Sequence, residues 1–228
     1  MNLQKLFEAQ AVLDEHIMNE HAELRENESN LDWKLLALQV ELGECANEWR
    51  GFKKWSKDQK PRIEILTTAG ANSTNVIQFE CSDEDCGEKF SKDDVRLKTL
   101  FEPLGVDDDC PTCKEAVLIG FRAKNPLLEE YVDCLHFILS IGLELDAEED
   151  LDWDELSSDV EDVTEQFSMV FKKISELSGR INTPEWLWRD MFEEFYLLGK
   201  LLDFTWEQIE AAYFEKNKIN HQRQESGY

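Results

Sequence analysis

Five carboxylates in this chain carry a spacing that metal chemistry could use. Glu41, Glu44 and Glu48 stand at i, i+3 and i+7 of LALQVELGECANEWRGFKKW, and Glu130 and Asp133 stand at i and i+3 of PLLEEYVDCLHFILSIGLEL. Such residues are neighbours on a helix, so like charges repel unless a cation sits among them. For the first column alone the bland reading is a solvated helix face. The second pair lies in a helix that is apolar over most of its circumference, where uncompensated charge is costly. Carboxylate oxygens are the ligands of hard divalent cations. Two facing pairs, Glu41 with Glu44 and Glu130 with Asp133, would make a Mg²⁺ cage.

The elements that must hold these acids are legible from periodicity. Leu35, Leu38, Leu42, Cys45, Trp49 and Phe52 recur at steps of three and four, giving one apolar stripe beside the acidic column. Asn125-Pro126 supplies a cap and first turn for the second helix. Leu128, Tyr131, Leu135, Ile138 and Leu145 mark its core face, and a central, mostly buried helix is expected. Near the N-terminus Leu3, Leu6, Phe7, Gln10, Leu13 and Ile17 follow helical spacing, with Asp14 one turn after Gln10. A glutamine on a core face must find partners. It is either a satisfied interhelical contact or an amide that reads the edge of a base with its donor and acceptor. His16 and His21 are read as surface histidines, residues 25–31 as a polar connection, and Asp32 as the cap of the acidic helix.

Residues 57–124 change character. RIEILTT and NVIQFEC show β-branched alternation, with Gly70-Ala71-Asn72 as turn material. Cys81-x4-Cys86 and Cys110-x2-Cys113 follow, the second pair running into the strand-like AVLIGF. Two cysteine pairs beside turns and strands meet the needs of a tetrahedral Zn²⁺ site. A lone Cys-x2-Cys is also a redox motif, but no helix start follows this one to lower a thiol pKa. Cys81, Cys86, Cys110 and Cys113 are therefore read as structural zinc ligands. Cys45 and Cys134 fall on helical core faces and are read as buried apolar thiols.

In the C-terminal half, the acidic run LDAEEDLDWDELSSDVEDV reads as a solvated loop and the first turns of a helix. Leu156, Val160, Val163, Phe167, Phe171 and Ile174 continue that helix to Gly179, and Thr183-Pro184 opens another. Its Trp188, Met191, Phe192 and Phe195 suit a core or a subunit interface. Thr205-x-x-Gln208 is a capping box for the last helix. Lys216, Lys218 and Arg223, interleaved with Asn217 and Asn220, then give an acidic chain a basic ending. By composition alone this is an exposed, frayed terminus.

A net charge of −26 over 228 residues excludes nucleic acid and anionic membrane as binding surfaces. A polyphosphate would have to be approached through bound metal. The length suffices for one core plus a small module. With no signal-like segment and no apolar run long enough to span a bilayer, a cytoplasmic protein is expected.

Glu41-x-x-Glu44 followed by Glu130-x-x-Asp133 resembles the ExxE…ExxD signature of the all-α nucleoside triphosphate pyrophosphohydrolases. The longer texts ELGECANEWRGFKKW and LLEEYVDCLHFILSIG resemble the dimeric dUTPase family in particular. The resemblance covers residues 1–58 and 122–228, a catalytic domain, and leaves 59–121 as an inserted zinc-binding module. That insert departs from the family, whose acid motifs lie closer in sequence. The resemblance implies a mainly α fold, a helical bundle with a small β-containing, zinc-ribbon-like insertion. It also implies a homodimer that uses Mg²⁺ to hydrolyse dUTP to dUMP and pyrophosphate, with dUDP as a further candidate substrate. Glu41, Glu44, Glu130 and Asp133 would hold the metal, and Glu48 would be a further ligand or, beside Glu44, the base for the attacking water. Gln10 would contact uracil, and Trp55, His136 and Phe137 would line the nucleoside pocket, with Phe137 near the sugar. Lys216, Asn220 and Arg223 would bind phosphates, and Tyr228 would cover the nucleotide. The residue chemistry by itself supports a metal site on a helical bundle. It leaves open a relative acting on dCTP or several nucleotides, and a non-catalytic, zinc-bearing adaptor.

Overall fold

The computed structural model describes residues 3–94, 96–97, 108–147, 160–178 and 185–227. The chain divides into a helical unit, Met1–Pro61 with Leu127–Tyr228, and a sheet unit, Arg62–Pro126. Among the described residues no helix is long and apolar enough to cross a membrane.

The helical unit comprises α1 (Leu3–Glu20), a 3₁₀ turn (Ala22–Glu26), α2 (Leu31–Trp49), α3 (Pro126–Glu144), α4 (Val163–Leu177), α5 (Glu185–Leu201) and α6 (Trp206–Glu225). Helix α1 packs on α6, α2 on α4, and α4 on α5. The apolar stripes meet in one core that includes Leu6, Leu38, Leu42, Tyr131, Ile138, Phe167, Trp188 and Phe195. Helix α3 is buried on most sides, as its composition requires, and aromatic side chains tie it to α5. Tyr131 stacks on Phe195 at 4.2 Å and donates to the Phe195 carbonyl, while Trp188 Nε1 donates to the Ile138 carbonyl at 2.7 Å. Two glycines permit this approach. A Cβ on Gly199 would lie 2.4 Å from the Tyr131 hydroxyl, and one on Gly142 would lie 2.8 Å from the Trp188 ring.

Helix ends differ from expectation in two places. Asn30, not Asp32, is the N-cap of α2 and makes no side-chain cap bond; Asp32 sits in the first turn, where its charge favours the helix N-terminus. Helix α4 starts at Val163, where Asp162 accepts from Glu165 N. Leu156, Gly179, Thr183 and Pro184 lie outside the described residues. The capping box of α6 is formed in full by Thr205 and Gln208. That helix runs on to Glu225 and buries Lys216 and Asn217, so the basic ending is helical and its first part belongs to the bundle. A long helix with one face against α1 has no reason to fray at its first lysine.

The sheet unit is an antiparallel four-stranded sheet, β1 (Ile65–Thr67), β2 (Gln78–Cys81), β3 (Lys89–Ser91) and β4 (Leu118–Lys124), in the order β1-β4-β2-β3. Phe79 faces Phe90 and Gly120 in register. Among the described residues its core is Val76, Phe79, Phe90, Leu97, Cys110 and Leu118, with Cys81, Cys86 and Cys113 packed against it. Strand β3 is three residues long and carries no alternation that sequence alone could reveal.

Candidate active site and thiol cluster

Helices α2 and α3 bring Glu41, Glu44 and Glu130 together, with one carboxylate oxygen of each within 4.8 Å of the others. Oxygens about 2.1 Å from a Mg²⁺ ion lie about 3 to 4 Å from one another, so small rotamer changes would close this trio on a cation. The trio is strained electrostatically. Burial, then Asp133 and Glu44, pushes the Glu130 carboxyl up to about 7, and the same causes raise Glu41. A cation among these oxygens would relieve that pressure. Asp133 stands close enough to act on both, but its Oδ2 accepts from Lys216 Nζ of α6, which also reaches Glu129. Burial raises the Asp133 pKa against the pull of Lys216, while Asp133 keeps Lys216 protonated against burial. Glu48, one turn beyond Glu44, lies outside the trio; burial, then the charges of Glu130 and Glu48, holds the Cys45 thiol high. Cys45 and Cys134 are buried, as expected.

Beside the acids lies a cavity of about 360 Å³, lined among others by Gln10, Glu41, Asp133, His136, Phe137, Asn220 and Arg223. Six residues singled out by sequence for a metal or a nucleotide, together with the metal-trio member Glu41, thus share one space. Trp55 does not line it; it sits on the turn after α2, exposed, with its ring edge on Phe52. Lys216 is behind the wall rather than on it, and Tyr228 lies outside the described residues. Gln10 is buried and hydrogen bonded at both ends of its amide. Nε2 donates to Asp14 Oδ1 at 2.7 Å, while Oε1 lies 2.9 Å from both His136 Nδ1 and the Tyr213 hydroxyl. The interhelical contact expected of Gln10 is formed, and the residue also borders the cavity. Burial pushes the His136 ring down to about 3, so it is neutral at physiological pH.

Three lining residues had no signal read from the sequence, and a fourth, Asp14, was noted only as a neighbour of Gln10. Trp33, Lys34, Asp14 and Ser140 also border the cavity. Lys34 is only 4% exposed; its Nζ pairs with Glu144 Oε2 at 2.9 Å and donates to the Ser140 carbonyl. Its place three residues after Leu31 and four before Leu38 put it on the apolar stripe, and that was the available signal. His16 is not a plain surface residue: its ring stacks on His221 of α6.

In the sheet unit the four cysteines that sequence paired lie together, their sulfurs all within 4.8 Å. None is disulfide-bonded. Cys81 and Cys113 sulfurs are 3.7 Å apart, and those of Cys86 and Cys110 are 3.9 Å apart. A tetrahedron with Zn–S bonds of about 2.3 Å has edges of about 3.8 Å. Each pair ends in the same turn, because Gly87 and Lys114, which follow Cys86 and Cys113, have φ of 57° and 60°. Burial opposes ionisation of Cys110, but the amides of Cys113 and Thr112 outweigh it and bring the thiol to about 7. Burial pushes Cys81 up to about 12. The cluster could hold a metal such as zinc.

Comparison with known proteins places the helical unit. A family model described as dUTPase matches residues 2–68 and 121–228, spanning the acids and the cavity and leaving out the thiol cluster. No curated protein and no solved structure matches the chain. With most of its length matched by that model, and with the helical architecture described above, the chain belongs to the all-α dUTPase family.

Proposed function

We propose that this protein is a Mg²⁺-dependent dUTP pyrophosphatase that releases dUMP and pyrophosphate. The observation that carries the reading is the convergence of Glu41, Glu44 and Glu130 next to a cavity bordered by Gln10, His136, Phe137, Asn220 and Arg223, all inside the family match. Glu41, Glu44, Glu130 and Asp133 would hold Mg²⁺, which when bound neutralises phosphate charge and lowers the pKa of a coordinated water. Glu48 or Glu44 takes the proton of the attacking water. Arg223 and Asn220 bind phosphate oxygens, the guanidinium by paired N–H donors. Lys216 secures Asp133 and adds positive charge behind the site, and Phe137 packs on the sugar. Trp55 and Tyr228 complete the nucleotide site by resemblance alone.

The same reading takes residues 59–121 as an inserted module held by structural Zn²⁺ on Cys81, Cys86, Cys110 and Cys113, supported by the sulfur spacing. It also takes the protein as a cytoplasmic homodimer. Leu36 and Val40, one turn apart on α2 and 62% and 52% exposed, are an apolar pair that a second copy would cover. Hydrolysis assays across the deoxynucleoside triphosphates, with Mg²⁺ and with EDTA, test the activity. Turnover of dUTP to dUMP only with Mg²⁺ is the expected result; equal turnover of dCTP would broaden the substrate, and none at all would leave a binding protein.

A further inference from the structure

Asp14 faces Gln10 across 2.7 Å, and of Gln10's three partners it alone has a single possible role. The Tyr213 hydroxyl has the Leu6 carbonyl at 3.3 Å to donate to, so it can give a proton to Gln10 or accept one. His136 Nδ1 donates or accepts according to tautomer. Burial raises the Asp14 pKa, while the bonds to Ser140 and Gln10 and the charge of Lys34 favour its ionised form, and an ionised carboxylate only accepts. Asp14 therefore dictates that Gln10 turns Nε2 towards it and Oε1 towards Tyr213 and His136. With that choice made, His136 carries its proton on Nδ1.

Asp14 is itself held. Its Oδ2 accepts from Ser140 Oγ at 2.6 Å, and Lys34 grips the Ser140 carbonyl while pairing with Glu144. Ser29 Oγ and Asn30 N close the other side of Glu144 at 2.6 and 2.7 Å. The relay runs from the loop before α2, through α3, to α1. Gln10, Asp14, Lys34, His136 and Ser140 all border the same cavity.

On the Gln10–Asp14 pair one Gln10 N–H and the second lone pairs of the Asp14 oxygens remain uncommitted, a donor beside an acceptor, and on this tautomer the buried, unpartnered His136 Nε2 is a further acceptor. The complementary ligand edge is a carbonyl beside an N–H, the imide of uracil. Cytosine offers the reverse, an amino group beside a bare ring nitrogen, and would set donor against donor and acceptor against acceptor. We propose that Asp14 is a positioning residue that locks Gln10 so that the cavity accepts an imide-edged pyrimidine and rejects cytosine. This rests on the nucleotide-site reading above.

Asp14→Asn tests it, because asparagine can present either oxygen or nitrogen to Gln10 and so satisfies both amide orientations. Binding of dUMP and dCMP to the full-length protein is measured by calorimetry, with dUTP hydrolysis and melting followed in parallel. Wild type should prefer dUMP, and Asp14→Asn should shrink that preference about tenfold or more, mostly through weaker dUMP binding. Tyr213→Phe should weaken both ligands and keep their ratio. An unchanged ratio in a folded Asp14→Asn variant overturns the proposal, as does a wild type that binds the two nucleotides alike. If Asp14→Asn fails to fold, Ser140→Ala, which frees one side of Asp14, must lower the ratio in the same direction or the proposal falls. Selective dUMP binding lost in the variant, without dUTP hydrolysis by wild type, would sustain the base reading and remove the enzymatic one.

Discussion

Lys216 Nζ lies 2.5 Å from Asp133 Oδ2 and 3.5 Å from Glu129 Oε1, joining the last helix to the central one. Both ends of the closer pair are largely buried, Lys216 at 10% and Asp133 at 16% side-chain exposure. A buried pair of this kind is costly to break, since the partner left behind loses its nearest counter-charge while largely shielded from water. Lys216→Met should lower stability by about 2 kcal/mol in urea melts and raise KM. An unchanged melting midpoint would mean that the pair is solvated and energetically idle.

Glu130 gives a pH signature. Its folded-state pKa, about 7, exceeds the ordinary 4.5, so the folded protein binds more protons between those values. Metal-free stability should therefore fall as pH rises from about 4.5 to about 7 and level off above. Mg²⁺ should restore it at pH 8, and Glu130→Gln should flatten the fall and blunt the Mg²⁺ response. Urea midpoints at pH 5 and 8, in EDTA and in Mg²⁺, measure both; parallel behaviour of the two proteins would remove Glu130 from the metal site.

His136 works in the opposite sense. Burial holds it at about 3 against an ordinary 6.5, so the unfolded chain binds the extra proton between those values. Its contribution to stability should be lost as pH falls from about 6.5 towards 3, by up to about 1.4 kcal/mol per pH unit. The difference in stability between wild type and His136→Asn, followed from pH 7 to pH 4, isolates this slope from that of the carboxylates. A difference independent of pH would show that the ring protonates as easily folded as unfolded.

The thiol cluster should be needed by the sheet unit and not by the helices. Among the described residues the sheet core is six side chains and the cysteines packed on it, little apolar surface to stand without a cross-link. Protein purified without added metal should carry about one zinc per chain. Cys110→Ser should lose it and the sheet's NMR dispersion, while keeping helical circular dichroism and most dUTP turnover. Abolished turnover in a helical, soluble Cys110→Ser protein would tie the insert to catalysis.

Much of the site was legible because its logic is local. Acids at i and i+3, cysteines three and five residues apart within each pair, and Thr205 with Gln208 meet whatever the rest of the chain does, since backbone geometry alone makes them neighbours. The helical class followed from periodicity for the same reason. Other features needed the tertiary structure, because their partners are far apart in sequence. Lys34 and Glu144 are 110 positions apart, as 34 and 144 make plain, and only packing of α2 against α3 buries the lysine and gives it a counter-charge. Gln10 and His136 meet across a separation of 126, and Lys216 and Asp133 across 83. A sequence shows that Gln10 needs partners, but which partners, and hence which way its amide turns, depends on three helices brought together by their apolar faces. That same packing makes the basic ending a helix that buries Lys216 and Asn217 in the bundle and sets Asn220 and Arg223 at the cavity.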